Sequence, residues 1–199
     1  MTTTTAAPRP AARTDENVIR LLRAGISIAA VGLVVLAATG TLATTTSGGG
    51  HFDHTADYWY TASGLPIAVG ASATLLGVHW LHRGADGRLG AVGAWVGVLA
   101  LGELFVQLLA SVLTSVEQQW GPSYILCTAL AFIAHALLAA GSWRTGLLPR
   151  WLLGLWPLAF VLGSFAAWGP MPLLLIAFYV VLGFVLSKRV TAAGLNAAR

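Results

Sequence analysis

AVGAWVGVLALGELFVQLLASVL, residues 91–113, is the stretch that decides what kind of chain this is. Its 23 residues hold one ionisable side chain, Glu103, and one amide, Gln107, among small and apolar neighbours. As a helix it reaches roughly 34 Å at about 1.5 Å per residue, enough to cross a hydrocarbon core of about 30 Å. A carboxyl group at the middle of such a span is expensive and marks a functional site once a partner can be named. The next apolar run, residues 122–143, supplies one: His135 lies near its centre.

Outward from that stretch the rest of the chain agrees. Hydrophobic residues make up 57% of it and charged residues 9%, a balance that reads as membrane-embedded. The length suits one helical domain. The net charge of +4 does not imply a nucleic-acid partner, because the bases sit in short segments between apolar runs and not on one solvated face. Cys127, the single cysteine, lies inside an apolar run and excludes an intrachain disulfide.

Apolar runs at 24–45, 60–82, 91–113, 122–143, 151–168 and 172–187 predict an all-α integral membrane bundle of six transmembrane helices. Residues 1–17, rich in Thr, Ala and Pro, are expected to be a disordered tail, and 191–199 a short polar one. Arg20 and Arg23 before the first run mimic a secretory signal, but its full span length and the lack of an A-x-A site favour an anchor. Pro66 is expected to kink the second span or loosen its first turn. With six spans all 11 Lys and Arg residues fall on one side, so both termini are expected in the cytoplasm and the protein in the cell membrane. Trp59, Trp120 and Trp168 near the outer ends, and Trp80, Trp143 and Trp151 near the inner ends, form the expected aromatic belt. Gly25 with Gly32, and Gly93 with Gly97, predict close helix packing. No repeat relates the two halves, so an inverted-repeat transporter has no support.

On helical wheels Glu103, Gln107 and Thr114 share a stripe flanked by Ser111, and Tyr124, Thr128, His135 and Ser142 share another. The two spans are antiparallel neighbours, and Glu103 and His135 lie roughly 15 and 20 Å below the outer end. The expectation is an outward-opening polar crevice floored by Glu103 and His135, with Gln107, Ser111, Tyr124 and Thr128 as ligand-binding walls. There Glu103, with His135, serves as a proton relay, an acid catalyst or a polar anchor. The plainer alternative is hydrogen-bonding that only fixes helix register.

His51, Asp53, His54 and Asp57 form H-x-D-H-x-x-D in the first outer loop. One helical turn there would bring three of them to a divalent metal ion; otherwise they make a solvated loop lidding the crevice. His79 and His82 fall at the inner interface, and Glu117 in an outer loop without an evident role. No H-E-x-x-H, G-x-S-x-G, Walker loop or C-x-x-C is present, and no cofactor is expected.

The cadence of short Gly- and Ala-rich spans, with HRGADGRLG after the second and RTGLLPRWLLG before the fifth, resembles small six-helix membrane proteins of high-GC actinobacteria, mostly grouped as domains of unknown function. In size the chain is also similar to substrate-binding subunits of energy-coupling-factor transporters, whose small-residue first-helix face Gly25, Ala29 and Gly32 match loosely. Membrane-embedded terpene cyclases are similar in size too. That likeness implies Glu103 as the acid that starts cyclisation of an isoprenoid, although their paired acidic motif is not found here. The leading expectation is a non-enzymatic protein in the lipid bilayer that binds a small ligand or proton, with partner membrane subunits in a transport or sensing assembly. The alternatives are an enzyme acting on a lipid or isoprenoid and a structural accessory protein.

Overall fold

The computed structural model describes residues 11–40, 42–43, 50–117, 122–165 and 170–197, with side chains between 16 and 188. They form α1 (Ala11–Thr39), α2 (Thr55–Leu81), α3 (Gly87–Thr114), α4 (Pro122–Ser142), α5 (Arg150–Ser164) and α6 (Met171–Ala197). In lipid a segment must satisfy its own backbone N–H and C=O groups, and runs of Leu, Ala, Val and Gly do so as helix. Five stretches, Glu16–Thr39, Thr55–Leu81, Gly87–Thr114, Pro122–Ser142 and Met171–Lys188, are long and apolar enough to cross a membrane. The chain is therefore an all-α, multi-pass membrane protein. The shorter α5, at 15 residues, reaches only about 22 Å.

Several boundaries differ from the sequence reading. Helix α1 begins at Ala11, inside the segment expected to be disordered, and is helical to Thr39. Residues 1–10 lie outside the described residues. At the other end α6 continues through the expected polar tail to Ala197. Both extensions add turns to a helix already nucleated, which costs far less than starting one. Pro66 removes one backbone donor, yet α2 runs unbroken from Thr55 to Leu81.

Each helix packs on its neighbours in sequence and α6 returns to α1, closing the bundle into a ring. Consecutive helices are antiparallel, so the 82–86 and 143–149 connections, the start of α1 and the end of α6 share one end. Arg20, Arg23, Arg83, Arg88, Arg144, Arg150 and Lys188 all belong to it. The opposite end, where α1 meets α2, α3 meets α4 and α5 meets α6, has neither Lys nor Arg and is the base-free end of the bundle.

Small residues set how the ring closes. A Cβ on Gly70 would stand 2.5 Å from the Ala29 nitrogen, so α1 and α2 meet backbone to backbone there. One on Gly93 would stand 2.7 Å from the Ala134 carbonyl of α4. Gly97 abuts Leu75 and Ala134. The G-x-x-x-G of α3 is thus consumed within the chain. Leu99, Leu113 and Ile125 face outward, as lipid contact requires, and Trp59, Trp80, Trp143 and Trp151 are exposed near helix ends. Trp120 and Trp168 lie outside the described residues. Trp156 is buried in the core with Phe160, Phe178 and Tyr179.

Candidate functional site

A crevice of about 120 Å³ opens between the helices at the base-free end. The elements contribute by depth. Thr61 and Tyr60 come from the first turns of α2, Gln107 and Ser111 from the last turns of α3, and Tyr124 from the first turn of α4. Ser164 and Phe165 come from the end of α5, and Glu117 from the loop above. Apolar walls are completed by Leu36, Ile67, Leu101, Leu104, Leu108 and Phe160. Among the described residues no Lys or Arg touches it. Of the expected ligand-binding residues, Gln107, Ser111 and Tyr124 are on its wall. Thr128 is not: its hydroxyl donates to the Tyr124 carbonyl at 2.8 Å, back along its own helix.

Gln107 is the polar centre of this wall and only 1% exposed. Its Nε2 donates to Glu103 Oε1 at 3.2 Å and to Ser123 Oγ, on α4, at 3.0 Å. A carboxylate only accepts, so this contact fixes which way the amide points. Its Oε1, equally buried, has no hydrogen-bond partner. A buried amide oxygen left without a donor costs about 1–3 kcal/mol.

Glu103 and His135 are not brought together. Glu103 is half-buried on the α3–α4 seam, does not line the crevice, and bonds Gln107. His135 is fully buried: Nδ1 donates to the Ala131 carbonyl at 2.7 Å, and its ring stacks on Phe160 at 4.0 Å and meets Trp156 edge-on at 5.6 Å. The expected floor of the crevice is corrected accordingly, and the reason is rotation. Helix α4 turns small residues, Ala134 and Gly141, to the glycines of α3 so that the backbones can approach. At about 100° per residue the stripe of Tyr124 and His135 then points roughly 80° away, toward α5.

Residues 50–53 of the first connection run extended across the base-free end. Phe52 N–H donates to the Ser115 carbonyl at 3.0 Å and Glu117 N–H to the Gly50 carbonyl at 3.1 Å, flanking a His51–Val116 bridge. This ties the loop to the crevice mouth. The metal expectation is corrected here. Residues 50–53 are extended and α2 starts only at Thr55, so His51, Asp53, His54 and Asp57 never share a helical turn. Asp57 is buried and caps α2, accepting the His54 N–H at 3.0 Å. Among the described residues no three His, Cys, Asp or Glu side chains converge on a metal-sized site.

A second polar cluster, at the basic end, was not anticipated. Asp86, from the α2–α3 turn, is buried and accepts His79 Nδ1–H at 2.7 Å. Its side chain fits because Gly90 leaves room beside it, and Gly141 lets α4 pass close to its backbone carbonyl. His82 is buried alongside, with Nδ1 on the Val78 carbonyl at 2.6 Å. Burial holds its pKa below the usual histidine value, against smaller opposing contributions from that carbonyl and Asp86. The signal in the sequence was an acid in a loop too short to leave the helix ends.

Comparison with protein-family models, with curated proteins and with solved structures gave no match to this chain.

Proposed function

We propose that this is a six-span protein of the cell membrane that binds a small amphiphilic ligand in the crevice at its base-free end, as the binding subunit of a transport or sensing assembly. The one-sided distribution of the bases supports α5 as the sixth crossing, both termini in the cytoplasm and a crevice opening on the outer face. The observation that carries the ligand reading is the crevice itself, a largely apolar cleft set with a few polar side chains, Thr61, Gln107, Ser111, Tyr124 and Glu117 among them. A wall with few, fixed polar groups is how small-molecule sites combine affinity with orientation. Glu103 then acts as a positioning residue that aims the Gln107 amide.

The test is thermal unfolding in neutral-lipid nanodiscs with hexylamine, hexanol and hexanoic acid at pH 7. At least one probe is expected to raise the Tm of the wild type, and the rise is expected to shrink in Gln107→Met, which keeps the bulk and loses the amide. No rise with any probe refutes the reading and leaves the polar residues as helix packing alone. Labelling of an introduced cysteine at Asp53 by an impermeant reagent in whole cells, with none at Thr145, checks the orientation.

A further inference from the structure

Taking the crevice as a ligand site, we infer that its ligand is an organic cation, an ammonium group on a short apolar body. Hydrogen bonding points first in this direction. Both hydrogens of the Gln107 amide nitrogen are engaged, by Glu103 and by Ser123, so this side chain has no donor left for an anionic ligand. The Glu117 carboxylate stands on the same wall. Its backbone N–H is fastened to Gly50, which holds the loop over the crevice.

The aromatic lining points the same way. Tyr60, Tyr124, Phe160 and Phe165 line the crevice, and ring faces attract cations within about 6 Å of their centroids. Phe165 meets Tyr124 edge-on at 6.4 Å and Phe160 at 5.7 Å, so these rings form one connected surface.

Charge decides between cation and anion. The base-free end carries Asp53 and Glu117 in its connections, and Asp57 in the first turn of α2, and no Lys or Arg. An anion entering there meets repulsion and finds no guanidinium or ammonium on the wall; a cation meets attraction, strengthened by the low dielectric of the surroundings. A scarcity of bases is expected of any outer face, but the acid on the crevice wall is not. The volume of about 120 Å³ has room for about eight heavy atoms, taking about 15 Å³ for each water-sized group.

Isothermal titration of the wild-type protein in uncharged phosphatidylcholine nanodiscs at pH 7, with n-hexylammonium, n-hexanol and n-hexanoate, tests the assignment. Hexylammonium is expected to bind saturably and about tenfold or more tighter than hexanol, with no saturable heat from hexanoate. Glu117→Gln is expected to bring hexylammonium to the level of hexanol, and Glu117→Lys to place hexanoate above hexylammonium. Equal binding of hexanol and hexylammonium by the wild type overturns the cation assignment and leaves the crevice a ligand site. Failure of all three probes to bind overturns both. The ranking of the probes on the wild type is decisive by itself, so the result does not depend on either variant folding.

Discussion

Replacing Gly70 by alanine tests the packing that holds the crevice in place. A Cβ there would meet the Ala29 nitrogen at 2.5 Å, the Ala29 methyl at 2.7 Å and, closer still, the Gly25 carbonyl oxygen. Two of these three obstacles are backbone atoms, which no rotamer change can move. Helix α1 must therefore back away from α2. A radial gap of about 0.5–1 Å already forfeits a quarter to a half of each dispersion contact along the seam. Overpacking of this kind costs about 1–3 kcal/mol, and with rigid obstacles the upper figure applies. The better helix propensity of alanine returns about 0.5–1 kcal/mol, leaving a net loss of about 2 kcal/mol. Gly102 is the internal control: it is exposed, and a Cβ there meets nothing within 4 Å. Gly102→Ala is expected to gain about 0.5–1 kcal/mol from propensity alone. Equilibrium unfolding in mixed micelles of sodium dodecyl sulfate and dodecyl maltoside, followed by tryptophan fluorescence, measures both. The companion change Ala29→Gly removes the methyl but not the backbone, so it is expected to rescue Gly70→Ala only in part. A Gly70→Ala protein as stable as Gly102→Ala would refute the claim that α1 and α2 meet backbone to backbone.

Other changes separate binding from packing. Glu103→Gln offers the Gln107 amide a donor as well as an acceptor, so the amide is no longer held one way round and probe affinity in nanodisc titrations is expected to fall by about threefold or more; affinity equal to wild type would refute the positioning role. His135→Phe keeps the stack on Phe160 and removes a buried ring nitrogen, Nε2, that has no partner. Its Tm is expected to be unchanged or higher, because an unsatisfied buried polar atom costs about 1–3 kcal/mol; a fall of several degrees would show that the imidazole has work to do there. For His82 the folded pKa lies below the unfolded value of about 6.5, because burial disfavours the charged form. The unfolded chain then binds more protons, so this contribution to stability is complete above about pH 6.5 and is lost as the pH falls from there toward the folded pKa. Denaturant midpoints from pH 7.5 to 5 are expected to drop in the wild type and to drop less in His82→Gln; parallel curves would refute it.

The membrane class and the positions of the helices were legible because a run of 20 or so apolar residues has no other stable use. Helix ends were less so. Residues 11–15 look unfit to pack, yet continuing a formed helix requires no packing of its own. At the site the sequence gives depth well and azimuth poorly. Gln107, Ser111 and Tyr124 were found by depth and do line the crevice. The Glu103–His135 pairing failed because a wheel orders residues around a helix's own axis without saying how that axis is turned in the bundle. That turn is set by the smallest residues, Gly93 and Gly97 against Ala134, since close backbone approach tolerates no alternative. Tyr60 and Thr61 escaped notice and Glu117 had no evident role, because they come from a different span and a loop, and only the closed ring brings them to the same mouth.

The short fifth helix and the crevice have a common origin. Helix α5 starts at Arg150 at the basic end and reaches about 22 Å, against about 30 Å of hydrocarbon, so its helical turns give out before the base-free end is reached. Its last described residues, Ser164 and Phe165, are crevice wall, and so is Phe160 one turn deeper. Below Phe160 the same helix fills the bundle completely: Trp156 is buried against His135, and the rings of Phe178 and Tyr179 pack behind it. The bundle is thus sealed where α5 is present and open where it ends. In this arrangement His135 belongs to the seal and Gln107 to the opening. A polar residue on a membrane helix takes its role from which side of that boundary it occupies, not from how much it costs to place there.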